Sequence, residues 1–272
     1  MIYKLSLITA ALSLAAVSVS AQSRQIDASE LNELPIADVV ILGEVHDNPE
    51  HHAHQALAVG AIGAKALVFE MLTNAQALQA RPDVMGSAET LGTALGWADG
   101  GWPDFDMYYP IFTSVDAPVI FGGALRREVV RQAVKDGAAG GLGGAAALFG
   151  LNNALDDHEQ VAREAGQMAA HCDALPVDML SGMVEAQRLR DAALAQAVIA
   201  AMAETGGPVA VITGNGHTRK DWGVPHALGL AAPELSVLTV GQFEAMPEDA
   251  VPYDLWLVTD PVERDDPCAA FK

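Results

Sequence analysis

Short apolar blocks, separated by polar and glycine-rich stretches, recur along the chain. Residues 36–42 (IADVVIL) form an aliphatic, partly β-branched run closed by Gly43, the pattern of a strand buried on both faces. Similar runs at 66–69 (ALVF), 118–121 (PVIF), 208–213 (PVAVIT), 235–240 and 254–258 predict five more strands. Between them the period lengthens towards that of helices. Asn48 is a good N-cap, with Pro49 in the first helical position and Glu50 in the first turn, so a helix is expected from 49 to about 60. A long helix is expected over 177–205, with Leu180, Val184, Leu194 and Val198 on its core-facing stripe. Short strands alternating with helices imply βαβ units, hence an α/β fold with a mostly parallel sheet flanked by helices.

Two intervals, 74–117 and 126–207, are longer than a simple crossover needs, so they are expected to be helical insertions forming a cap over one edge of the sheet. Within the second, residues 137–150 (GAAGGLGGAAALFG) read either as an apolar flap over a ligand or as a helix-breaking linker. They are not a phosphate loop, because no GK[ST] follows.

Composition narrows the function. The chain has 272 residues, 51% hydrophobic and 18% charged, which excludes wholesale disorder and fits one large domain or two small ones. A net charge of -20 argues against nucleic-acid partners and anionic lipid surfaces, both of which require clustered Lys and Arg. Residues 1–21 read as a signal peptide: Lys4 gives a positive start, an uncharged apolar run follows, and Val19-Ser20-Ala21 offers small residues at a cleavage site. No Cys follows them to carry a lipid. The expected mature domain is therefore 22–272, periplasmic or secreted, without stable membrane insertion. In that oxidising setting Cys172 and Cys268 would form a disulfide if they meet, clipping the C-terminal tail to a helix; two unpaired thiols are the alternative.

The ionisable residues gather just past the strand ends. Glu44 and His46 follow the first strand, Glu70 the second, Arg126 the third and His217 the fourth. In an open parallel sheet those ends share one edge, where ligands bind. Residues distant in sequence therefore converge on one site. The helix after the first strand adds His51, His52, His54 and Gln55; no pair of these histidines has the i, i+4 spacing of a helix-borne zinc motif. On the long helix, Gln187 and Asp191 interrupt the apolar stripe beside Arg190, a placement that is costly unless they are hydrogen-bonded in support of the pocket.

These residues fall into a recognisable order. Gly43-Glu44-x-His46-Asp47-Asn48-x-x-His51-His52-x-x-Gln55 is followed by Trp102-x-x-Phe105-x-x-Tyr108, His171-Cys172, Gln187-x-x-Arg190-Asp191, and Gly214-x-Gly216-His217-x-Arg219. The ensemble resembles the ChaN-like haem-binding uptake family of the erythromycin esterase, Tiki and ChaN superfamily. The resemblance implies a three-layer α/β domain with a helical cap, exported and associated with haem-iron acquisition. Hydrolases in that superfamily imply an alternative use of Glu44, His46, Glu70 and His217. The third strand end departs from similar sequences, since 123–126 (GALR) keeps only the Leu and Arg of an Asn-Leu-Pro-Arg run.

Two mechanisms follow. In the first, haem occupies an apolar slot, with His51, His52, Tyr108 or Tyr109 as candidate iron ligands and Arg126, Arg127, Arg190 and Arg219 available to the propionates; Gln187 and Asp191 support the pocket. A homodimer around a shared cofactor is one arrangement open to such a chain. In the second, the same edge hydrolyses an ester or amide. His46, oriented by Glu44 or Glu70, acts as general base and His217 polarises the substrate; no GxSxG serine elbow competes. In a variant of the second, Glu44, His46, Glu70 and His217 hold a divalent metal.

Overall fold

The computed structural model describes residues 23–266 and 268–269, so the stretch 1–21, expected to be a signal peptide, lies outside the described residues. Its strands are β1 (Arg24–Gln25), β2 (Val39–Leu42), β3 (Ala66–Thr73), β4 (Val119–Ala124), β5 (Val209–Ile212), β6 (Val237–Phe243) and β7 (Leu255–Val258). They form one seven-stranded sheet in the order β1-β7-β6-β2-β5-β3-β4, and every pairing is parallel. All six expected strands are present, and the two-residue β1 is added at an edge.

Alternation along the strands sorts the core into two. Val40, Leu42, Leu67, Phe69, Ala210 and Ile212 face one side of the sheet, where they pack under α1 (Pro49–Ile62) and α4 (Phe105–Thr113). Val39, Ile41, Ala66, Val68, Val209 and Val211 face the other, under α7 (Leu180–Thr205) and α9 (Val224–Ala231). Both faces are covered, which is why these strands read as continuous apolar runs. The result is a three-layer α/β fold.

The long segments expected to cap the sheet do more than that. Residues 74–117 contribute α2 (Asn74–Ala77), α3 (Ala88–Leu95) and the covering helix α4, while 126–207 contribute α5 (Arg127–Asp136), α6 (Asp157–Ala170) and the covering helix α7. α5 and α6 both pack against α7. The glycine-rich stretch is a packed part of the second core rather than a flap: it forms two 3-10 turns, Ala138–Gly141 and Gly143–Phe149, that bury Ala138, Ala146 and Phe149.

Two strands run further than their apolar runs suggested. β3 continues through Glu70 to Thr73, with its pairing to β4 shifting register after Phe69. β4 takes in Gly122 and Gly123, whose lack of side chains is required there. A Cβ on Gly122 would come within 2.3 Å of the Leu72 carbonyl oxygen, and one on Gly123 within 2.4 Å of Leu194.

Register then places the chemistry. Leu42 pairs with Ile212, and Ile212 with Phe69, so the residues that follow them emerge at one height on the carboxyl edge. Asn48 caps α1 by accepting from the backbone N–H groups of Glu50 and His51, as expected. Cys172, just past α6, is disulfide-bonded to Cys268, with Cα atoms 5.5 Å apart across 96 residues of sequence. Among the described residues no helix is long and apolar enough to cross a membrane.

Candidate functional site

β2 delivers Glu44 and His46 side by side. Glu44 is buried, and its Oε1 accepts from His46 Nδ1 at 2.6 Å and from the Tyr108 hydroxyl at 2.8 Å. Its Oε2 accepts from Gln55 Nε2 at 2.7 Å. Burial alone would raise the Glu44 pKa, but hydrogen bonds from His46 and His52 and their charges outweigh it and hold the value at about 2. Burial also opposes protonation of His46, yet the hydrogen bond to Glu44 and the charge of Glu70 raise its pKa. The His46 ring is 35% exposed, stands 5.0 Å from the Trp102 ring, and presents Nε2 without a hydrogen bond to any described residue. Gly214 makes room for it, since a Cβ there would come within 2.9 Å of that nitrogen.

The four neighbours on α1 and α4, Gln55, His51, His52 and Tyr108, are structural in geometry. Gln55 Nε2 also donates to the Leu42 carbonyl, which fixes the amide so that its oxygen faces His52 Nδ1 at 3.2 Å. His52 Nε2 donates to the His46 carbonyl oxygen at 2.8 Å. Both ring nitrogens thus face acceptors, and His52 is raised in pKa: burial lowers it, but Glu44 prevails by hydrogen bond and charge. His51 is the opposite case. Its Nδ1 accepts from the Val45 N–H and its Nε2 bonds Thr259, and burial lowers its pKa to about 4. His51, His52 and Tyr108 are all fully buried. Burial, then the negative charge of Glu44, pushes the Tyr108 phenol far above its ordinary pKa.

Beside this group, β3, β5 and α7 build a second. Glu70 Oε2 accepts from Thr213 Oγ1 at 2.7 Å and from the Gly214 N–H at 2.8 Å, while Oε1 accepts from Arg190. Burial works against its ionisation, but His217 and Arg190 hold its pKa well below the carboxylate range. His217, on the short helix α8 (Asn215–Thr218), is clamped by carboxylates at both nitrogens: Asp191 at 2.6 Å on Nδ1 and Glu70 at 3.4 Å on Nε2. Burial would depress it, yet the charges of Glu70 and Asp191 push its pKa up to about 9. Gln187 Nε2 lies 3.0 Å from His217 Nδ1. The structure therefore brings Glu44, His46, Glu70 and His217 together, with His46 Nε2 lying 3.9 Å from Glu70.

A divalent metal finds no ready set of ligands there among the described residues. Glu44, Glu70 and His217 spend their donor atoms on the bonds above, and no group of three or more His, Cys, Asp or Glu side chains among the described residues could hold an ion. The structure thus gives the expected four-residue metal set no support.

Outside this buried pair of networks lie two adjoining cavities. One, of about 550 Å³, lies between Trp102, Arg126 and Arg127; the other, of about 580 Å³, lies between α5, α6 and α7, with Val134, Met183 and Trp222 in its wall. Val130, Arg131 and Arg190 line both. Arg126 and Arg131 are exposed, and neither makes an ion pair with a described residue. Arg163 lines the second cavity while buried, and its Nη1 has no hydrogen-bond partner among the described residues. With Arg127, Arg190 and Arg219, six of the chain's 15 basic residues gather on this one edge.

Sequence reasoning missed Arg131, Arg163 and Trp222, and did not give His171 a role. Arg131 is on α5, Arg163 is on α6, His171 follows α6, and Trp222 lies just before α9; none sits at a strand end, so the strand-edge rule gave no signal.

A family model described as haem-binding uptake, Tiki superfamily, ChaN matches residues 31–228. The chain belongs to this ChaN family. A solved structure titled cofacial heme binding to ChaN of Campylobacter jejuni superposes with a TM-score of 0.63 at 19% identity, covering 84% of this chain and 89% of that one. Another, of the type III effector HopBA1, covers 86% and 92% at 12% identity, with a TM-score of 0.45. No curated protein matches in sequence. The ChaN fold thus positions the groove. Haem suits its residues: apolar walls for the ring, arginines without partners for carboxylates, and an unsatisfied buried guanidinium donor.

Proposed function

We propose that this ChaN-family protein binds haem in the arginine-lined groove and serves haem-iron uptake outside the cytoplasm. One observation carries the reading: in a chain of net charge -20, the arginines of α5, α6 and α7 converge on an apolar groove beside the sheet edge. An acidic protein gathers cations in one place when an anionic ligand is to be held there. Bound haem would supply an iron with open coordination positions and two carboxylates on a large apolar ring. Arg126, Arg127 and Arg131 receive carboxylates, and Arg190 is kept in place by Glu70. Gln187 contributes to the wall, while Asp191 fixes His217 behind it. His51, His52 and Tyr108 stiffen the floor.

Hemin titration tests this. The purified protein should shift the Soret band saturably, and Arg131→Glu should weaken binding by roughly tenfold, about 1.4 kcal/mol. A titration that never saturates rejects the reading. Light scattering during the titration reads the homodimer: two chains closing over their haems would double the mass. Export through 1–21 would be seen as a mature N-terminus near Gln22 in protein recovered from the periplasm.

A second reading rests on the Glu44–His46 pair, whose outward Nε2 has the geometry of a general base for ester or amide hydrolysis, with Glu70 and His217 behind it. Turnover of an ester panel that disappears in His46→Ala, without any hemin spectrum, would favour it.

A further inference from the structure

We infer that a further cavity, behind the arginine-lined groove, is a binding site for a small uncharged molecule with a primary carboxamide head and a short hydrocarbon body. The cavity has a volume of about 240 Å³ and lies between α6, α7 and α9. Arg163 and Trp222 line both it and the groove, so they form the partition between the two. The Arg163 guanidinium carbon stands 5.2 Å from the centre of the Trp222 ring. The assignment stands independently of haem binding.

The polar wall of this cavity holds one orphaned donor and one orphaned acceptor. Arg163 Nη1 and Asp191 Oδ2 have no hydrogen-bond partner among the described residues, in side chains of residues only 7% and 2% exposed. Buried polar groups are nearly always paired, because leaving one unpaired is costly. Two such atoms of opposite kind on one cavity call for a partner that both accepts and donates. Burial raises the Asp191 pKa while the charges of His217 and Arg163 oppose it, so the two side chains are within electrostatic reach of each other.

Their charges are already met. Glu159 Oε1 accepts from Arg163 Nε at 2.9 Å and also from Nη2, while Asp191 Oδ1 lies 2.6 Å from His217 Nδ1. What remains is hydrogen bonding without net charge. A carboxylate would satisfy Arg163 but repel Asp191, and an ammonium would do the reverse. A primary carboxamide offers its oxygen to Nη1 and an N–H to Oδ2. The neighbouring polar groups do not compete for it: Asp156 caps α6, and Arg188 donates to Glu185 and to the carbonyls of Gly150 and Asn153.

The rest of the wall sets the body of the ligand. Phe149, Leu151, Leu155 and Leu230 make it apolar, and Leu230, 50% exposed, borders the opening to solvent. A single bridging water needs only about 10–15 Å³ and would leave that apolar part unfilled. Hydrocarbon attached to the polar head fills it.

The test is a matched set of ligands. Isovaleramide, isovalerate and isopentylamine share one hydrocarbon body and differ in the head, and each would be titrated into the full mature chain and followed by NMR. The amide should bind saturably with a dissociation constant on the order of 1 mM and move the indole N–H signal of Trp222, and the acid and the amine should bind about tenfold more weakly or worse. Leu230→Trp, which crowds the opening and leaves Arg163 and Asp191 in place, should weaken the amide by about tenfold or more, and so should Arg163→Met, which removes the donor. A far-UV dichroism spectrum like that of the wild type would show that each variant folds; the ranking of the three heads on the wild-type chain stands whichever variant does. Equal binding of the three heads, binding that leaves Trp222 unmoved, or binding untouched by a folded Leu230→Trp overturns the proposal. So does the absence of saturable amide binding up to about 50 mM, which would leave the two atoms to ordered water.

Discussion

At the scale of single residues, the site is a set of charges that are affordable only because each has its counter-charge and hydrogen bonds. Glu44 is the clearest case, a buried carboxylate with His46, Tyr108 and Gln55 at its two oxygens. Removing one donor leaves an oxygen under-satisfied, which costs about 1–3 kcal/mol. Tyr108→Phe should therefore lower unfolding stability by that amount in urea melts. Tyr109→Phe, whose hydroxyl bonds only a partly buried carbonyl, should cost less. Equal losses would mean that Glu44 does not depend on the Tyr108 hydroxyl. Glu44, His46, Glu70 and His217 were legible in sequence because an ionic side chain next to a buried apolar run has few places to go except the open edge. The roles of His51 and His52 were not. Helical periodicity set His51 apart from His52, but α1 packs beside α4 over the sheet, where the Tyr108 ring covers His52 at 4.0 Å and Thr259 bonds His51, so both rings are covered.

Elements carry a different lesson. The central strands follow from their apolar runs, α1 from its capping residues and α7 from its apolar stripe, and α7 matches its expected span almost completely, whereas α4 and α9 were not delimited in sequence. What the pattern concealed was where β3 and β4 end. A charged Glu70 and paired glycines read as loop, but the Glu70 charge is neutralised by Arg190 and His217, and the glycines let β4 and α7 close up. β1 is too short to produce any pattern. The groove walls were equally hidden, since α5 and α6 owe their positions to contacts with α7 and, past the end of α6, to the disulfide. Closing a 96-residue span removes freedom from the unfolded chain, for which typical stabilisation is about 2–4 kcal/mol. Cys268→Ser should lower the melting temperature by roughly 4–16 °C at about 2–4 °C per kcal/mol, and should loosen hemin binding through the end of α6. A melting temperature that does not move would show that packing on α7 alone fixes α6.

For the whole molecule, the ionic core sets the range of pH over which the fold is stable. His217 has its folded pKa raised to about 9 from 6.5, so its contribution is complete below about 6.5 and is lost as pH rises through 9. Roughly 3 kcal/mol is at stake. Glu44, lowered to about 2 from 4.5, acts in the other direction: its contribution holds above about 4.5 and is lost as pH falls through 2. His51, lowered to about 4, adds to the acid limb, because the unfolded chain takes up a proton below 6.5 that the folded chain refuses until about 4. Stability should therefore be greatest near pH 6.5 and should fall on both sides, already declining by pH 8. A net charge of -20 also strains the fold at alkaline pH through general repulsion, so the alkaline limb alone does not identify its source. His217→Gln separates the two. It removes the titrating group while leaving the overall charge nearly as it was, so the variant should be less stable at pH 6.5 yet lose little more by pH 10, keeping its acid limb. An alkaline limb as steep in His217→Gln as in the wild type would assign it to surface repulsion and not to the imidazolium held between Glu70 and Asp191.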